Sequence, residues 1–150
     1  MESKIRLTGL TLCLLAVSVP AAASLGEDAA TVQADQAQMQ GRLQITSAGK
    51  FSVHEIQLPS GTVVKQYVSP AGMVFAVSWK GPSLPDLRQL LGRYFEQYAE
   101  SARTQGAGAG PRASLQPGLV VQSGGHMRAF FGRAYVPQML PHGVLAEEIQ

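Results

Sequence analysis

Apolar and polar positions alternate from Met73 to Trp79, with Met73, Phe75, Val77 and Trp79 on one side and Val74, Ala76 and Ser78 on the other. A period of two predicts a β-strand that turns one bulky row toward a core. Thr62 to Val68, rich in Val, Thr and Tyr, predicts a second strand, and Phe51 to Leu58 a third. Pro59-Ser60-Gly61 and Ser69-Pro70-Ala71-Gly72 supply the connections. Proline presets φ for a turn, and glycine accepts the conformation at its exit. Connections this short join antiparallel neighbours, so the prediction is a three-stranded meander.

After the Lys80-Gly81-Pro82 break the period changes. Leu84, Leu87, Leu90, Leu91, Tyr94, Phe95, Tyr98 and Ala102 recur at helical spacing, opposite a face with Arg88, Arg93, Glu96 and Glu100. Ser83 with Asp86 resembles a capping box, and Pro85 falls in the first turn. The spacing predicts a helix from Leu84 to Ala102, weakened by about 1 kcal/mol at Gly92. Before the meander, a helix is expected from about Glu27 to Gln40, ending at Gly41, followed by a short strand over Arg42 to Thr46. Thr104 to Gly118 (104–118) is rich in Gly, Ala and Pro and predicts a flexible loop. Leu119 to Ser123 and His126 to Phe131 flank Gly124-Gly125, the signature of a two-residue hairpin turn. That turn would set Ser123 opposite His126, Val121 opposite Arg128 and Leu119 opposite Phe130. The expected fold class is α+β: an antiparallel sheet of about five strands, a three-stranded meander plus a C-terminal hairpin, with one main amphipathic helix packed on a face.

The amino end has a different character. Lys4 and Arg6 precede an apolar run from Leu7 to Val19, then Pro20 and Ala21-Ala22-Ala23. This order matches a secretory signal peptide over residues 1–23, with the domain occupying 24–150. The apolar run has 13 residues, against the ~20 that a membrane-spanning helix needs. Cleavage would leave no cysteine, because Cys13 is the only one. Disulfides, thiolate metal sites and thiol catalysis are then excluded from the mature chain. Lys4, Arg6 and Glu2 would leave with the leader, so 12 basic and 10 acidic residues become 10 and 9. Near neutrality, with no dense Lys/Arg run, gives no support to nucleic-acid binding. The expected location is the periplasm or the exterior, with no membrane span after cleavage.

Four constellations bear on chemistry. His54 and Glu55 are neighbours on a strand, so they point to opposite faces and cannot share a ligand. Ser123 and His126, side by side in the predicted hairpin, would place a nucleophile near a base. No spacing supplies the third group that orients such a base, and a polar cross-strand pair is the simpler reading. His54, His126 and His142 lack the close pairing of a sequence-encoded metal site, so only the fold could assemble them. The Gly106–Gly110 run lacks the Lys-Ser/Thr of a phosphate loop. No cofactor is called for.

The segments V-H-E-I-Q-L-P-S-G-T-V-V-K-Q-Y-V-S-P-A-G-M-V-F-A-V-S-W-K-G-P at 53–82, P-D-L-R-Q-L-L-G-R-Y-F at 85–95 and L-V-V-Q-S-G-G-H-M-R-A-F-F-G-R-A-Y-V-P at 119–137 are long and specific. In them the chain resembles an exported bacterial family catalogued as domain of unknown function 2844. The resemblance implies a periplasmic single-domain protein of Gram-negative bacteria and transfers no catalytic or binding residue. The function expected is a non-enzymatic binding or accessory module of the cell envelope. It would present Gly124, Gly125, His126 and Arg128, or a sheet edge, to another envelope protein or peptide. The alternatives are a small hydrolase using Ser123 and His126, and a metal-binding protein using the three histidines.

Overall fold

The computed structural model describes residues 24–104 and 112–150. The predicted signal peptide lies outside the described residues. Among the described residues, seven strands form one antiparallel sheet: β1 Arg42–Ser47, β2 Ser52–Gln57, β3 Val63–Val68, β4 Val74–Gly81, β5 Arg112–Gln116, β6 Leu119–His126 and β7 Ala129–Tyr135. Their order across the sheet is β1-β2-β3-β4-β7-β6-β5. The α+β class and the meander are as expected, and the strand count exceeds the expected five. One added strand is β5, which lies inside the stretch expected to be a loop.

The turns of the meander follow their sequence signals. Gly72 N–H donates to Ser69 O at 2.9 Å, and Gly61 N–H to Leu58 O at 3.0 Å. Both glycines take positive φ, 81° and 86°. The C-terminal hairpin does not follow its signal. Ser123 pairs with Gly132, Gly124 with Phe131, Gly125 with Phe130 and His126 with Ala129, so the turn is Met127-Arg128. Register is set by which residues reach the core. The observed pairing matches Val121 with Ala134, both buried; a turn at Gly124-Gly125 would have matched Val121 with Arg128.

The sheet has two covers. On one face lie α1 Val32–Met39, α2 Leu87–Leu91 and α3 Phe95–Thr104. Their Val32, Leu90 and Leu91 pack with Leu25 against Ile56, Val64, Val77, Trp79, Leu119, Val121 and Ala134. On the other face the carboxyl-terminal segment lays Val144 and Ile149 over Phe51, Tyr67 and Phe75, whose rings sit 5.8–6.2 Å apart. Phe75 was expected to share a face with Val77 and Trp79. A bulge overturns that: Tyr67 pairs with Ala76 but Val68 pairs with Val74, leaving Phe75 as the extra residue. The inserted residue shifts the phase of alternation, so Phe75 and Ala76 both face the tail.

The single predicted helix is two. It starts at Leu87, capped by Asp86, whose carboxylate accepts from Arg88 N–H at 2.9 Å and Gln89 N–H at 3.1 Å. Ser83 is not the cap; it is tied to Thr62, which donates from Oγ1 to Ser83 O at 2.7 Å, and Leu84 is exposed. The helix breaks at Gly92, at φ 50° and ψ −122°, a conformation that L side chains avoid. Ser24 occupies the space a β-carbon would need there. Next to it, Leu25 N–H donates to Leu90 O at 3.0 Å, and Gly26 N–H to Val74 O at 2.8 Å. Residues 24–28 thus strap the helix corner to the start of β4, and Arg93 donates from Nε and Nη2 to Glu27 on the same strap.

Candidate functional site

The tail covers only one side of its face of the sheet. Three cross-strand rows show this, because residues directly opposite one another share a face. The first row runs Val53, Tyr67, Ala76, Tyr135, Val120, and the tail packs on its first four members. The second runs Gln44, Glu55, Lys65, Ser78, Arg133, Gln122. The third runs Arg42, Gln57, Val63, Lys80, Phe131, Gly124. Apart from Ser78, which the last residue of the tail covers, these two rows are left largely bare.

A cleft of about 410 Å³ opens there, lined by Ser78, Trp79, Lys80, Gln122, Ser123, Phe131, Gly132, Arg133, Ile149 and Gln150. A second of about 290 Å³ adjoins it over β3 and shares Ser78, Trp79, Lys80 and Gln150. The tail closes one end of both. Tyr67 Oη donates to Gln150 O at 2.6 Å and accepts from Gln150 N–H at 2.8 Å. Ser78 Oγ donates to the same carbonyl at 3.0 Å. Arg133 braces the wall, donating from Nε to Gln122 Oε1 at 2.7 Å and from Nη1 to Ala146 O and Ile149 O at 2.7 and 3.1 Å. Lys65 and Lys80 have no ion pair among the described residues. Phe131 is 49% exposed.

Two glycines in these strands turn toward the opposite, helical face, the side of Trp79. Gly132 lies opposite Trp79, and the indole occupies the position its β-carbon would take. Gly125 has φ 125°, and a β-carbon there would meet Phe130 Cα at 2.7 Å. Gly125 therefore allows two strands to approach, and the pair does not form the turn. The turn's positive φ belongs instead to Arg128, at 65°.

The residues proposed from sequence are dispersed. Ser123 and His126 stand three positions apart on one strand, about 10 Å along it and on opposite faces, so no nucleophile–base pair forms. His126 and Arg128 are exposed at the hairpin end beside Met127, which is 88% exposed. Gly124 and Gly125 are strand residues. His54 lies mid-β2 between Ile45 and Gln66, and His142 lies in the tail. The fold does not bring the three histidines together, and no group of three or more His, Cys, Asp or Glu side chains is placed to hold a metal ion among the described residues. Burial lowers the pKa of His54; its Nδ1 is enclosed with no hydrogen-bond partner among the described residues, and its Nε2 is 3.3 Å from Ser52 Oγ.

Lys65, Ser78, Lys80, Phe131 and Arg133 were not singled out from sequence. Each is ordinary alone, and no local motif joins them. Alternation along β4 did place Ser78 on the face opposite Trp79, which was the available signal. No helix among the described residues is long and apolar enough to cross a membrane.

No curated protein and no solved structure matches the chain. A family model does, over residues 21–149, from just before the strap to the penultimate residue of the tail. By that match the chain belongs to the family described as protein of unknown function (DUF2844).

Proposed function

We propose that this is an exported, non-enzymatic binding module of the cell envelope, and that it binds at the bare half of the sheet beside the tail. The observation that carries the reading is the cleft over Ser78, walled by a tail pinned at Tyr67, Ser78 and Arg133. Its volume falls in the range of small-molecule pockets, ~300–1,000 Å³. A wall held by hydrogen bonds from several strands is preorganised, which lowers the ordering cost of binding. The hydrolase reading loses its pair, because Ser123 and His126 stand on opposite faces of one strand. Export is supported by the leader-like order of residues 1–23.

The test is amide chemical-shift mapping while a small-molecule extract of the cell envelope is added. Shifts are expected at Ser78, Lys80, Gly124 and Gly132. Shifts confined to the helical layer or to β1 would move the site elsewhere and end this reading. Export is checked on the same preparation: intact mass from the envelope fraction should correspond to a chain starting at Ser24, and a retained leader would refute it.

A further inference from the structure

Across the two bare rows the described side chains include four cations, Arg42, Lys65, Lys80 and Arg133, and one acid, Glu55. The rest of the chain is close to charge balance, so this surface concentrates positive charge. Three of the cations are neighbours: Lys80 lines both clefts, Arg133 the larger, and Lys65 the smaller, where Glu55 stands directly opposite it. Lys65 and Arg133 both lie directly opposite Ser78, from β3 and β7. Lys80 is two residues further along β4, hence diagonal to both, at a Cα spacing of about 7–8 Å. Like charges gathered this way repel one another in a cleft partly screened from water. A terminal carboxylate at Gln150 would reduce the local excess by one and leave it positive.

Beside the cations the surface is apolar. Phe131 lies directly opposite Lys80 and is half exposed. Its neighbour on the other side is Gly124, which has no side chain to cover the ring. A bare inorganic anion would leave that ring in water. A neutral apolar molecule would leave the cations uncompensated.

We propose that the two adjoining clefts take a soluble amphipathic anion: a phosphate or carboxylate seated at Lys80, between Lys65 and Arg133, with an apolar chain lying across Phe131 in the space over Gly124. This rests on the binding reading above and adds the chemistry of the ligand. Arg133 is held in place by its bonds to Gln122 and the tail. Lys80 and Lys65 close on the anion from the open side.

The test titrates octyl phosphate, octyl glucoside, octyltrimethylammonium and inorganic phosphate, each below micelle formation, into the purified protein while amide shifts are followed. Octyl phosphate should shift Ser78, Lys80, Gly124 and Gly132 and bind most tightly. Lys80→Glu and, independently, Lys65→Glu should each weaken it about tenfold or more. Arg103→Glu, the same charge change on the helical layer, should leave it unaltered. The amide spectrum of each variant shows whether it is folded, and two independent variants keep the comparison if one is not. Octyl glucoside binding as tightly, unaffected by the lysine variants, would sink the anion while leaving the cleft as a binding site. Inorganic phosphate binding as tightly would sink the apolar body. Binding only to anionic vesicles, with no response to octyl phosphate, would replace the soluble ligand by a membrane surface and overturn the proposal. No shift at these amides with any probe, together with none from envelope extract, would overturn both readings.

Discussion

His54 shows how one residue sets a property of the whole chain. Its cross-strand neighbours are uncharged, and burial depresses its pKa below the ordinary 6.5. Between the depressed value and 6.5 the unfolded chain binds the proton more readily than the folded one. Stability therefore rises with pH through that window and levels off above it. Urea midpoints at pH 5.5 and 7.5 should show the wild type losing stability on acidification, and His54→Gln losing less. An equal loss in both would assign the effect to other groups. The glycines carry a second lesson. Gln40, not Gly41, takes the left-handed conformation at the end of α1, at φ 52°. Gly41 is needed because a β-carbon would press on Ile56 of β2 and lie 3.1 Å from Gln57 O. Gly125 and Gly132 serve close approach in the same way. Glycine in sequence reads as a turn, but contact with a distant strand is invisible there.

Among the elements, the helical layer depends on two end signals. Asp86 accepts from two orphan N–H groups at the start of α2, and Gly92 ends that helix against Ser24. Asp86→Ala should lower stability by about 1 kcal/mol, as cap removal does, with the cost read in the urea midpoint and in faster exchange of the Arg88 and Gln89 amides. Ser83→Ala removes only the contact of its hydroxyl with Thr62 Oγ1, at 3.0 Å, so those two amides should be unaffected. Leu87 to Tyr98 was legible as an apolar helical stripe, and its burial on the Val77–Trp79 side of the sheet follows from it. The break at Gly92 was not, because the partner that fills the corner lies 68 residues away in sequence, at Ser24. The bulge at Phe75 was hidden for the same reason: alternation is a local pattern, and a bulge is decided by the two strands that pair around it.

For the whole molecule, the decisive feature is how two irregular segments, the strap and the tail, pack. The strap at 24–28 locks the helical layer to β4, and the tail covers one side of the opposite face. Ile149 is 1% exposed and packs in the cluster of Phe75 and Tyr67. Ile149→Ala should destabilise at the lower end of the ~2–5 kcal/mol range for such truncations, because the irregular tail can relax toward the void. It should also accelerate exchange of the Gln150 amide, which donates to Tyr67; unchanged exchange would show that the tail does not depend on this side chain. Read locally, residues 51–98 revealed their strands, their tight turns and an amphipathic helix, because side-chain periodicity and turn chemistry are encoded within a few neighbours. The α+β class followed from those elements. The candidate site did not. Lys65, Ser78, Lys80, Phe131 and Arg133 come from three strands, and they meet only because β7, besides pairing with its sequence neighbour β6, also pairs with the distant β4. That pairing, the register that buries Val121 against Ala134, and the length of sheet the tail leaves uncovered are settled by long-range burial, which no window of sequence contains.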